Sequence, residues 1–120
     1  MSISTHVLDA VNGVPAQGME LRLERLDRQA AGAVIGPVTG ALIGQGATNR
    51  DGRCPDLTDG LTLEPGDYRL RFETAAWFAR TSTPTFYPVV ELVFQVTDAS
   101  AHYHVPLLLS PFAYSTYRGS

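Results

Sequence analysis

The sequence contains no lysine, a single cysteine and no long apolar run. All nine basic residues are arginine, so no lysine Schiff base can form. Cys54 has no partner for an internal disulfide, which is typical of a reducing compartment.

The net charge is −3 and runs of like charge are lacking, which argues against nucleic-acid or membrane partners. The first residues do not resemble a signal peptide, and no segment approaches the ~20 apolar residues of a membrane span. We therefore expect a cytoplasmic protein.

What the sequence does contain is an alternation of apolar and polar residues with a period of two. Tyr68, Leu70 and Phe72 face one side of such a segment, and Arg69 and Arg71 face the other. Asn-Gly, Asp-Gly and Pro-Gly pairs, which favour tight turns, separate the segments. With 120 residues, 44% of them apolar, the chain is long enough to bury one core, so we predict a single domain over 1–120. The predicted strands are 3–9, 19–24, 41–47, 67–73, 89–97, 102–110 and 114–118.

One short helix is predicted over 75–80, with Thr74 as its N-cap. The segment 28–48 is rich in alanine, glycine and valine, and its glycines leave the register of a strand near 41–47 open. Regularly spaced short strands with one brief helix favour the all-β class, as a two-sheet sandwich of about seven to eight strands. Val93 and Leu108 lie on the outward faces of their strands, which indicates that self-association covers a second surface.

Three histidines are the first candidates for chemistry. His102 and His104 are two residues apart in one predicted strand, so they share a face at a spacing of ~7 Å. Together with His6 they could supply three nitrogen ligands to zinc, although no carboxylate is placed to orient them. The alternative is that each histidine is solvated or hydrogen-bonded in place. Spacing alone leaves both interpretations open.

Three further residues have a functional and a plain interpretation. Arg53 follows an Asp-Gly turn and offers a planar fork of donors to a carbonyl or carboxylate, or it is a solvated loop charge. Ser120 carries both a hydroxyl and the terminal carboxylate, but chain ends normally fray. Cys54 could be a nucleophile or an ordinary small residue.

The conjunction of motifs is more informative than any one residue. The segment 102–120 reads HYHVPLLLSPFAYSTYRGS. It closely resembles the C-terminal signature of the transthyretin-like hydroxyisourate hydrolases, and its Tyr-Arg-Gly-Ser ending separates these enzymes from the hormone-carrying transthyretins. The stretch 28–50 departs from the family by being longer and richer in alanine and glycine. Further matches are THVLD at 5–9, DGR at 51–53, GDYR at 66–69 and TFYP at 85–88.

The resemblance implies a transthyretin-like sandwich and an enzyme without metal or cofactor. Its substrate would be the purine-derived 5-hydroxyisourate, hydrolysed to 2-oxo-4-hydroxy-4-carboxy-5-ureidoimidazoline in urate degradation. His104 would activate the water, and Arg53 would bind ring oxygens and stabilise the developing charge. His6 would orient the substrate and is the candidate proton donor, while Ser120 would contact substrate or water and Tyr117 would help to fix the tail and bind substrate. Which histidine is acid and which is base stays open, as does any role of His102.

The resemblance also implies a homotetramer with its sites at the interface between two dimers. Three other functions compete with this interpretation. They are a zinc hydrolase using His6, His102 and His104, a non-catalytic carrier of small aromatic ligands, and a sandwich module that binds a partner. The C-terminal ending favours the enzyme over the carrier.

Overall fold

A computed structural model describes residues 2–27 and 39–120 and places them in eight strands and one helix. The strand near 41–47 is present and extends over Thr39–Ala47. The predicted connection before it falls on residues 28–38, which lie outside the described residues. The elements are β1 Ser2–Asp9, β2 Val14–Pro15, β3 Glu20–Asp27, β4 Thr39–Ala47, β5 Gly66–Phe72, α1 Thr74–Ala79, β6 Val90–Val96, β7 His102–Ser110 and β8 Ala113–Thr116.

The strands form two four-stranded sheets, as the predicted sandwich requires. One sheet has the order β2-β1-β7-β8 and the other has the order β4-β3-β5-β6. β1 and β7 pair in parallel, whereas the other recorded pairs are antiparallel. The β3–β4 pairing shifts register between Leu23 and Glu24, because Leu23 pairs with Gly44 and Glu24 with Leu42, which leaves Ile43 as the extra residue of a bulge in the glycine-rich strand β4. Within the described residues, no helix combines the length and apolar character needed to cross a membrane.

The core lies between the two sheets and follows the predicted alternation. In β7, Tyr103 and Val105 point inward and are buried, while His102 is exposed and His104 is partly buried on the opposite face. Tyr103 is anchored at its polar end, because its hydroxyl accepts hydrogen bonds from the backbone of Thr97 and Asp98 at 3.0 and 2.9 Å. The turn that precedes the histidine strand is thereby tied to the core.

The prediction that Thr74 caps the helix is wrong. Thr74 is the first helical residue, and Glu73 occupies the N-cap position without a side-chain capping bond. Thr74 is buried, and its hydroxyl donates to the carbonyl of Tyr87 at 3.0 Å. The side chain therefore ties the helix to the segment before β6, and tertiary packing outweighs the local capping preference.

The outer face of the second sheet carries interleaved opposite charges. Arg69 contacts Glu24 at 3.0 Å, and Arg71 contacts Glu73 and Glu91 at 3.2 and 3.4 Å. The hydrogen bond from Arg69 lowers the pKa of Glu24, against an opposing effect of burial. These groups are already paired with one another, so the candidate chemistry lies on the other sheet.

Candidate active site

The pairing of β1 with β7 brings the histidines together. Ser4 lies opposite His104 and His6 lies opposite Pro106, in a register that runs without a shift from Ser2 to Asp9. The proline therefore does not bulge the strand, and the alternation argument for a shared histidine face holds. Because His6 is one strand across and two residues along, its Cα is about 8 Å from that of His104.

Arg53 reaches the same face through a turn that only glycine fits well. The backbone of Gly52 has a φ of 77°, and its carbonyl accepts a hydrogen bond from the Val7 amide at 2.8 Å. A Cβ at Gly52 would lie 2.4 Å from the Val7 oxygen, so any other residue would push the turn off β1. Arg53 itself forms an isolated antiparallel bridge with His6 and has an exposed side chain.

The C-terminal tail lies against His104. Strand β8 ends at Thr116, two residues earlier than the predicted boundary, and the tail then bridges back to β7. The Gly119 amide donates to the His104 carbonyl at 2.8 Å, and a Cβ on Gly119 would lie 2.4 Å from the ring atom Cδ2 of His104. Glycine is therefore the residue that allows the backbone to reach the imidazole. Ser120 follows directly and is exposed.

Tyr117 lies apart from this cluster. Tyr117 is 61% exposed and lines a groove of about 440 Å³ together with Val93 and Tyr114. The residues that line this groove do not include His6, Arg53 or His104, within the part of the chain that is described. The predicted contact of Tyr117 with substrate stays a prediction. Its neighbour Arg118 places its guanidinium 4.6 Å from the centre of the buried Tyr103 ring, which attaches the tail to the core.

Two serines that the sequence analysis did not single out connect the histidines. Ser4 Oγ lies 2.7 Å from His104 Nδ1 and 2.9 Å from His102 Nε2. Ser2 Oγ hydrogen-bonds to His102 Nδ1. The sequence of the first strand already indicated that these serines share a face with a histidine, because a period of two places Ser2, Ser4 and His6 on one side. Only the pairing with β7 shows that the histidines lie opposite the two serines.

The electrostatic environment disfavours a charged His104. Burial lowers the pKa of His104, and the positive charges of Arg53, His102 and His6 lower it further, in that order of importance. A neutral imidazole near neutral pH is the form that accepts a proton. The site therefore combines a proton acceptor with a nearby fixed cation.

The surroundings of Cys54 and of the histidines bear on two alternatives, a cysteine nucleophile and a metal site. Cys54 is buried, and burial, with a smaller contribution from Asp56, raises the pKa of its thiol. The thiolate that a nucleophile requires is disfavoured there, so the plain interpretation of Cys54 holds. Across residues 2–27 and 39–120, no group of three or more His, Cys, Asp or Glu side chains is arranged to hold a metal ion.

A family model, related sequences and solved structures all match this chain to the same family. The HIUase/Transthyretin family matches residues 3–119 of the chain. A 5-hydroxyisourate hydrolase of Mus musculus is 43% identical over 118 residues, which make up 98% of this chain and 94% of that protein. The solved structure of a Klebsiella pneumoniae 5-hydroxyisourate hydrolase has a TM-score of 0.80 and 33% identity, covering 98% of each chain. A transthyretin from Sparus aurata has a TM-score of 0.82 and 30% identity, covering 98% of this chain and 95% of that one. This chain belongs to the HIUase/Transthyretin family.

Proposed function

We propose that this chain is a hydrolase that opens the ring of 5-hydroxyisourate in urate degradation, using a water activated by histidine. The observation that best supports this function is that four residues come together on one sheet face. They are His6, Arg53, His104 and, from the C-terminal tail, Gly119. Fold likeness alone does not separate the enzymes from the carriers, because the TM-scores to a hydrolase and to a transthyretin are 0.80 and 0.82. The chemistry of the site favours the enzyme.

His104 is the general base in this proposal. Its Nδ1 is engaged by Ser4 at 2.7 Å, which leaves Nε2 as the ring nitrogen that can take a proton from water. Its lowered pKa favours a neutral ring near neutral pH, and Nε2 is then the base when the ring proton lies on Nδ1. We therefore assign the activation of water to His104, which the direction of its pKa shift supports, and the donation of the proton to His6.

Arg53, His6 and Ser120 act on the substrate. The Arg53 guanidinium, exposed at the edge of the site, binds ring oxygens and stabilises the negative charge that develops on the attacked carbonyl. His6 orients the ring and donates the proton that the departing nitrogen requires. The position of Ser120, directly after the glycine that packs on His104, makes its hydroxyl a contact for substrate or water. No metal or cofactor takes part in these steps.

The assay follows hydroxyisourate, generated in situ by urate oxidase, through its ultraviolet decay. We expect the protein to accelerate the decay, and we expect His104→Ala and Arg53→Ala each to slow it by roughly 10²-fold or more. Ser110→Ala is the matched control, because it removes a hydroxyl that bonds the Ala113 carbonyl at the far end of β7. Decay at the spontaneous rate with the native protein would refute the proposal, and losses of only a few-fold in both variants would show that the roles are misassigned.

The pH dependence provides a separate check on the base. A general base works in its neutral form, so kcat/KM falls as the pH drops through the pKa of His104. Because that pKa is lowered by burial and by Arg53, the acid limb should lie below about 6.5, the ordinary value for histidine. Initial rates of hydroxyisourate decay between pH 5 and pH 8 locate the limb. A limb centred above 6.5 would contradict the assignment.

The assembly in this proposal is a homotetramer with its sites at the interface between two dimers. The histidine face is the outer surface of a sheet, so a single chain covers a bound substrate from one side only, and a second dimer facing it would complete a pocket. Val93 and Tyr114 are 52% and 39% exposed, and association would bury their large apolar surfaces. Light scattering on the eluting protein should give a mass of four chains, and a monomer with full hydrolase activity would contradict this arrangement.

A further inference from the structure

Four side chains on the histidine face form an unbroken row of hydrogen bonds. It runs from Ser2 to His102, from His102 Nε2 to Ser4 at 2.9 Å, and from Ser4 to His104 Nδ1 at 2.7 Å. The row exists because Ser2 lies opposite His102 and Ser4 lies opposite His104 in the parallel pairing. Its two ends are the partly buried His104 and Ser2, and the exposed His102 lies between Ser2 and Ser4.

The single proton of the Ser4 hydroxyl links the protonation of His102 to that of His104. The Ser4 hydroxyl has one proton, so it donates to one ring and accepts from the other. When it donates to His102 Nε2, it accepts from an Nδ1–H on His104, and His104 then presents a lone pair at Nε2. When it donates to His104 Nδ1, the proton of neutral His104 lies on Nε2 instead. The serine therefore decides which nitrogen of His104 is the base.

We propose that Ser4 and His102 are positioning residues that hold His104 in its Nδ1–H tautomer and conduct the proton it removes from water toward solvent. The inference rests on the proposed function for its catalytic part. The transfer begins when His104 Nε2 accepts a proton from water. The Nδ1 proton then passes to Ser4 Oγ, and the Ser4 hydroxyl proton passes to His102 Nε2.

The proton balance of the reaction requires such an exit. Water adds to a ring carbonyl, a carbon–oxygen bond forms and the carbon–nitrogen bond of the ring breaks. His6 donates one proton to the departing nitrogen and regains one from the new carboxylic acid, which is ionised near neutral pH. The proton that His104 took from water is the one that is released. His102, which is exposed, delivers that proton to solvent and returns to its neutral form. At this stage His104 carries its proton on Nε2. Once product has left, Nε2 gives that proton to water in the open site, His102 takes one from solvent, and the hops run in reverse, so that the Nδ1–H tautomer is restored before the next turnover.

The charges around His104 favour this direction of transfer. The imidazolium form of His104 is disfavoured first by burial and then by the charges of Arg53, His102 and His6. His104 therefore holds a second proton more weakly than a histidine in water does. His102 is exposed, so water can take up the proton that it releases. Transfer from His104 to His102 moves the positive charge toward solvent.

The test compares three serine variants by steady-state kinetics on hydroxyisourate. Ser4→Ala breaks the row at its centre, and we expect kcat to fall roughly tenfold or more while KM changes less than about twofold. Ser4→Thr keeps a hydroxyl at the same position and should recover kcat to within about threefold of the native value. The control Ser110→Ala also removes a strand hydroxyl but lies six residues beyond His104 along β7, and it should leave kcat unchanged.

A second measurement reads the tautomer directly and does not depend on activity. The ¹⁵N chemical shifts of the His104 ring distinguish a proton on Nδ1 from one on Nε2. We expect Nδ1–H in the native protein and in Ser4→Thr, and a shift toward Nε2–H in Ser4→Ala. His102→Gln keeps polar groups near Ser4 but cannot carry the proton onward, so its kcat should fall while the His104 tautomer is retained.

The outcomes separate the relay from the proposed function. An unchanged tautomer in Ser4→Ala, or a kcat within about threefold of the native value, would overturn the relay even if the native protein is an active hydrolase. If the native protein does not accelerate hydroxyisourate decay, the proposed function fails, and the tautomer measurement alone still decides whether Ser4 orients His104.

Discussion

The parallel pairing of β1 with β7 is the constraint on which the rest of the site depends. Eight consecutive residues pair in register, from Ser2 with His102 to Asp9 with Leu109. Because side chains alternate with a period of two, this register fixes which residues share the outer face, and a slip of one residue would send His104 into the core. The inward residues of both strands, such as Val7 and Leu107, are fully buried. Hydrophobic burial on one face therefore holds the chemistry in place on the other.

Two glycines then bring the remaining parts of the site to that paired strand. Gly52 lets a turn lie against the Val7 carbonyl and delivers Arg53 beside His6, and Gly119 lets the tail lie against the ring of His104. At both positions the added Cβ would lie 2.4 Å from an atom of the central strands. Residues from the start, the middle and the end of the chain thus meet through backbone contacts that a larger side chain would prevent. Arg53 and the C-terminal tail are therefore both positioned by a glycine whose backbone packs closely against a central strand.

Much of this architecture follows from the sequence, and the exceptions have physical causes. Alternation was sufficient to predict the long strands and the face shared by His102 and His104. It could not predict β2, Val14–Pro15, because two residues carry no period. The capping role of Thr74 was wrong because a buried hydroxyl bonds a carbonyl thirteen residues away. The contacts of Ser4 span about a hundred residues, and they depend on a strand register that no local pattern specifies. The family resemblance supplied the roles of His6, Arg53 and His104, whereas the relay comes from the hydrogen bonds.

In the proposed mechanism, the tail forms part of the site by packing its backbone on His104. The measurement that tests this most directly is the rate of hydroxyisourate decay with Gly119→Ala, set beside its thermal stability. We expect the added methyl to displace the His104 ring or the tail and to slow the decay at least tenfold, with a melting temperature within a few degrees of the native value. Gly13→Ala is the matched control. Its φ of 70° is strained for alanine but its surroundings are open, so it should cost about 1 kcal/mol of stability and no activity. Native activity in Gly119→Ala would contradict the claim.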